Sequence, residues 1–132
     1  MEGENGGMPM FIRRNDSADQ LKGHSRFKHR VGVAIPLNGK NQLGLPEHEE
    51  MEQLNRIEDA LLIALEKNQL ALMVLAITTS GMREFVFYTS DAGTAKANIN
   101  EVRLGTKTHQ LQSYVAEDPE WEVFAHLSKG TN

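Results

Sequence analysis

The chain has 132 residues, of which 39% are hydrophobic and 24% charged, a size and composition suited to one globular domain with one main core rather than to a disordered, collagenous or coiled-coil chain. It contains no cysteine, which excludes disulfides, thiolate nucleophiles and zinc-cysteine or iron-sulfur clusters. The longest apolar run, Leu70 to Ile77, is far shorter than the roughly 20 residues of a membrane-spanning helix, and the opening MEGENGG lacks a signal-peptide pattern, so a cytoplasmic protein with no membrane partner is expected.

Residues 1–8 are polar and Gly-rich and are expected to be a flexible segment before a single domain over residues 9–128, with a flexible tail at 129–132. Residues 9–14, PMFIRR, read as a short leading strand, followed by a polar connection with Asn15, Asp16, Ser17 and Gly23 as turn residues. From Phe27 to Leu37 the chain alternates strictly. Phe27, His29, Val31, Val33, Ile35 and Leu37 fall on one face, Lys28, Arg30, Gly32, Ala34 and Pro36 on the other, the pattern of a half-buried strand with Pro36 near its end.

After the loop NGKNQLGLP, Met51, Leu54, Ile57, Leu61, Leu62 and Leu65 recur at three- and four-residue spacing, which predicts an amphipathic helix over residues 47–66. Glu47, Glu49 and Glu50 suit its positive dipole end and Pro46 its first position. Leu70 to Thr78 predicts a strand buried on both faces, with Ala71, Met73, Leu75 and Ile77 on one side and Leu70, Leu72, Val74 and Ala76 on the other. A turn at Thr79-Ser80-Gly81 joins it to a second strand, Met82 to Thr89, as a hairpin.

Asp91 caps a helix over residues 92–103 held by Ala95, Ile99 and Val102; residues 109–116 alternate as a last strand; and Asp118-Pro119-Glu120 opens a short terminal helix carrying Trp121 and Phe124. The predicted class is therefore α+β: a ferredoxin-like β-α-β-β-α-β sandwich with an extra N-terminal strand and a short C-terminal helix. The doubly apolar central strand requires cover on the face away from the two helices, from the leading segment, the terminal helix or a second subunit.

The segments MPMFIRRN, RVGVAIPL, GLP with the acidic helix containing IEDAL, ITTSGMREFVFYTSD and EDPEWEVF, in this order over residues 8–126, resemble domain-of-unknown-function family 695. The ending and layout are also similar to the B-type regulators of ribonuclease activity, which bind an enzyme rather than catalyse. The resemblance implies an α+β fold, and no catalytic residue is carried over from it.

The sequence holds no recognisable catalytic constellation. Five histidines, His24, His29, His48, His109 and His126, sit in no metal motif. His48 and Glu52 lie four apart on the predicted helix, without an HExxH frame; His29 reads as a hydrogen-bonded, partly buried ring. The loop Asn38 to Gly44 has two glycines and a lysine, yet Leu45 and Pro46 follow where a P-loop needs Lys and Ser or Thr. Thr78-Thr79-Ser80-Gly81 is a turn rather than a nucleophile elbow. Glu117, Asp118, Glu120 and Glu122 resemble paired carboxylates, but Asp118 with Pro119 is first a helix cap, and Trp121 a helix anchor.

Charge is unevenly distributed: residues 1–40 carry seven Lys/Arg against four Asp/Glu, residues 41–132 seven against fourteen. The acidic helix concentrates the negative part, and Glu49, Glu50, Glu52, Arg56 and Asp59 are the expected docking face of a non-enzymatic interaction module for a protein partner, in a chain expected to be a homo-oligomer. The alternative is a small-molecule-binding protein or small enzyme with a pocket lined by Tyr88, His109, Tyr114 and Trp121. RNA binding through Lys22, Arg26, Lys28 and Arg30 around Phe27 is disfavoured, since an acidic chain lacking an RNP1-type pattern is a poor match for phosphate-rich partners. No metal or cofactor is expected.

Overall fold

The computed structural model describes residues 2–5, 8–16, 18, 27–39, 45–67, 70–79 and 81–129. The elements in chain order are β1 (Glu2–Asn5), β2 (Met8–Arg14), β3 (His29–Pro36), α1 (His48–Glu66), β4 (Ala71–Thr79), β5 (Met82–Thr89), α2 (Ala92–Gly105), β6 (Gln112–Glu117) and α3 (Glu122–Lys129). The strands form one six-stranded sheet in the order β1-β2-β4-β5-β3-β6, with every pairing antiparallel. Strand β5 separates β3 from β4 and β3 separates β5 from β6, so α1 and α2 each connect two parallel strands with one strand between them. This is the split β-α-β arrangement of a ferredoxin-like core, extended past β4 by β2 and β1.

The outer extension includes residues 2–5 of the segment expected to precede the domain; residues 1, 6 and 7 lie outside the described residues. Glu2–Asn5 pairs with Met8–Phe11 as a strand, because the free edge of β2 offers backbone donors and acceptors that need no side-chain core. At the other end α3 runs to Lys129, one residue into the expected tail.

Helix α1 buries Leu54, Ile57, Leu61 and Leu65 against Val31, Val33 and Ile35 of β3 and Phe85 and Phe87 of β5; Ala95 and Ile99 of α2 complete this core. Each large side chain so buried contributes on the order of 1.5–3 kcal/mol. Glu47 is the N-cap of α1, without a side-chain cap bond, so Pro46 lies outside the helix rather than at its first position. Asp91 caps α2 as predicted, accepting from the Thr94 amide at 3.1 Å. Gly81 takes φ 81° in the β4–β5 turn, a conformation that glycine adopts without a Cβ penalty.

Strand β4 is buried on both faces, but its alternation is not strict. A bulge lies between Met73 and Leu75: Met73 pairs with Phe87, whereas Leu75 pairs with Val86. The extra residue inverts the faces beyond it. Ala71, Met73 and Ala76 meet the α1/α2 core, and Leu72, Val74, Leu75 and Ile77 the opposite one, which corrects the grouping of Leu75 and Ile77 with Ala71.

The second face is covered by α3. Trp121 and Phe124 pack with Ile12, Ala18, Phe27, Val86 and Tyr88, so the terminal helix, not a second subunit, covers this part of the sheet. Residues 118–120 are a turn and α3 starts at Glu122, after the predicted opening, while β6 starts at Gln112, three residues after the predicted 109.

Candidate functional site

On α1 the outward side presents Glu49, Glu52, Arg56, Asp59 and Ile63, all exposed, at three- and four-residue spacing along one stripe. Ile63 is 73% exposed. His48 and Glu52 form an i,i+4 pair at 3.4 Å, and among the described residues no group of three or more His, Cys, Asp or Glu is placed to hold a metal.

Glu50 does not belong to this face. It is 7% exposed and accepts from the Asn38 amide at 2.6 Å, the Gly39 amide at 3.2 Å and His109 Nε2 at 2.6 Å. A helix places consecutive residues about 100° apart, so Glu49 points out while Glu50 turns under the loop at residues 38 and 39. Burial opposes its ionisation, but the two amides and the imidazole outweigh that and hold its pKa below the ordinary carboxylate value. His109 Nδ1 lies 3.0 Å from Thr108 Oγ1. The described start of the glycine loop thus gives its amides to Glu50 rather than to a phosphate; Lys40 to Gly44 lie outside the described residues.

The four predicted pocket residues separate. His109 serves Glu50 near α1, whereas Tyr88 and Trp121 stack at 4.3 Å between ring centroids in the core under α3. Tyr114 lies farther along that second face, on β6: its hydroxyl donates to Glu84 and its ring covers Gly32, where an added Cβ would overlap it. Burial, then the Glu84 carboxylate, push its pKa up to about 12. Alternation and register send these residues to different places among the described residues.

Asp118 is a structural hub on the second face. It is 4% exposed and accepts from the Tyr88 hydroxyl at 2.6 Å, Arg30 Nη1 at 3.1 Å, and the amides of Glu122 at 2.7 Å and Val123 at 3.3 Å. Burial opposes its ionisation, yet these donors hold its pKa below the ordinary value, and the tyrosine is driven upward, first by burial and then by the carboxylate. Trp121 donates from Nε1 to the Phe27 carbonyl at 2.8 Å and meets Phe124 edge-on at 5.7 Å. Its φ of 56° is a left-handed conformation that costs a non-glycine residue on the order of 1–3 kcal/mol, offset by this packing.

The disfavoured RNA surface has its central residues engaged elsewhere by the same placement. Phe27 is buried and Arg30 is paired with Asp118; Lys28 is exposed, and Lys22 and Arg26 lie outside the described residues. His29 Nδ1 is buried without a hydrogen-bond partner among the described residues.

One group escaped the sequence reading. Arg83 shares its β5 face with Phe85 and Phe87, and it lines a groove with Phe11, Ile12, Arg13, Met51 and Thr78. The signal was present: a charged residue at an inward-facing position of an otherwise apolar strand face.

No helix is long and apolar enough to cross a membrane among the described residues. No curated protein and no solved structure matches the chain. The model of a family of unknown function, DUF695, matches residues 2–128, nearly the whole chain, and the protein belongs to that family.

Proposed function

We propose that the protein is a non-enzymatic docking module that uses the outward stripe of α1 to bind a basic protein surface carrying an apolar pocket. The observation that carries this reading is Ile63, 73% exposed, on a helix whose other outward residues include Glu49, Glu52 and Asp59. A carboxylate field steers a cationic partner and sets on-rate and specificity. The isoleucine adds apolar area that water otherwise covers, worth about 1.5–3 kcal/mol when fully buried. Glu50 is excluded from the surface, since its carboxylate is used inside the domain. The resemblance to regulators that act by binding an enzyme supports the same reading.

The test is affinity capture from the host's cell extract, with and without nuclease, followed by purification of the captured protein and titration. Wild type is compared with Ile63→Ser and with a Glu49→Lys, Glu52→Lys, Asp59→Lys variant. A partner retained by wild type, weakened by both variants and bound more slowly at high salt is the expected result. Equal affinity for all three baits would reduce the stripe to a solvated helix face.

A further inference from the structure

We infer that the groove between β2 and α1 is a binding site for a small organic oxyanion, a carboxylate or a phosphate monoester, with Arg83 as its anchor. The inference is independent of the docking face, which lies on the outward side of α1.

Arg83 is 6% exposed. Its one hydrogen bond among the described residues runs from Nη2 to the thioether of Met51 at 3.1 Å, a weak acceptor. Its Nε is buried with no partner among the described residues, and the guanidinium lies 5.9 Å from the centroid of the Phe85 ring. A buried arginine without a carboxylate is costly, because the desolvated charge has nothing to repay it. Among the described residues the carboxylate that acts on Arg83 is Glu58, and it is bonded to Arg13 Nη2 at 2.5 Å. Among the described residues two guanidinium groups therefore share one carboxylate, a local excess of positive charge in a chain that is acidic overall. Burial and the neighbouring Arg13 both disfavour the charge on Arg83, with Glu58 opposing them. A bound oxyanion would supply the missing partner.

The groove has a volume of about 240 Å³ and is lined by Phe11, Ile12, Arg13, Met51, Asn55, Ala76, Thr78 and Arg83. Pairing explains the assembly: Phe11 lies opposite Thr78 and Arg13 opposite Ala76, while Thr78 also lies opposite Arg83. Thus β2, β4 and β5 bring one row of side chains beneath α1. Guanidinium N–H groups, the Thr78 hydroxyl and the Asn55 amide suit an oxyanion head, which arginine binds in a planar fork. Phe11, Met51 and Ala76 suit a short apolar body. The volume is below that of a typical drug-sized pocket, so the ligand is small.

The test uses the full chain and follows arginine Nε–H and backbone amide resonances during titration with inorganic phosphate, phenyl phosphate and benzoate. The Arg83 Nε–H signal, identified by its disappearance in Arg83→Met, is expected to shift saturably in at least one arm, together with the amides of Phe11, Ala76 and Thr78. Saturation by phenyl phosphate alone assigns a phosphate ligand, and saturation by benzoate alone a carboxylate. Arg83→Met should lose affinity by roughly 10- to 100-fold, the usual worth of charge-assisted hydrogen bonds, and Arg13→Gln should lose less. The melting temperature of Arg83→Met should equal or exceed that of wild type, since an unpaired buried charge has been replaced by an apolar chain. Strictly linear shifts up to the order of tens of millimolar in every arm, far weaker than a specific site, would overturn the assignment. So would undiminished binding by Arg83→Met, or its melting below wild type, which would make Arg83 a structural residue.

Discussion

The sheet's two faces carry cores of similar character closed by different means. On one face α1, with 19 residues, and α2, with 14, lie over the sheet, and Leu54, Leu61, Leu65, Phe85 and Phe87 share the burial. On the other, α3 has only eight residues, too few to hold as an isolated helix. One indole and one carboxylate secure it: Trp121 on Tyr88 and Phe27, and Asp118 on Tyr88, Arg30 and the first amides of α3. A broad helical layer spreads its stability over many contacts; a single short helix concentrates it in a few.

The largest effect is expected for Trp121→Ala, with a loss of about 3–5 kcal/mol in denaturant unfolding. Hydrogen exchange should show α3 unprotected while α1 stays protected; continued protection of residues 122–126 would break the comparison. Next is Asp118→Asn. It keeps the shape but weakens four charge-assisted hydrogen bonds, two of them to the start of α3, and a loss of about 1.5–3 kcal/mol is expected from the same measurement. Smallest is Glu50→Gln on the helical face, where the apolar layer persists and roughly 1–2 kcal/mol should be lost.

Acid sharpens the same contrast. Asp118 and Glu50 both have pKa values below the ordinary carboxylate value in the folded protein. Their stabilisation is present above the unfolded value, near pH 4, and is lost as pH falls through the folded values. Urea midpoints should therefore fall below about pH 4, and less steeply in Asp118→Asn than in wild type. Equal slopes would show that this carboxylate does not gate the second face.

Most of the architecture was legible because it rests on local periodicity. The alternation of Val31, Val33 and Ile35, the three- and four-residue spacing of α1, and Asp91 before α2 report single elements, and a β-α-β-β-α-β order leaves few ways to pair them. Residues 2–5 were not legible, since their strand depends on a distant free edge rather than on their own side chains. Glu49, Glu52, Arg56 and Asp59 of the expected docking face are exposed, whereas Glu50 is buried, which its own helix does not signal, because the loop amides and His109 that claim it come from 11 to 59 residues away. Tyr88, His109, Tyr114 and Trp121 lie apart for a related reason: residue type says nothing about which layer a side chain enters.

The irregularity in β4 has an effect beyond that strand. Had the chain alternated without interruption through Val74, Ile77 would stand opposite Arg83 and Leu75 opposite Phe85, and two branched aliphatic side chains would occupy the space beneath α1. The single absorbed residue sends them to the indole side instead and leaves a methyl group, Ala76, and a hydroxyl, Thr78, to floor the groove. The hollow beside the guanidinium is thus a product of strand phase: one residue out of step replaces bulk with room and a hydrogen-bonding group at the same place.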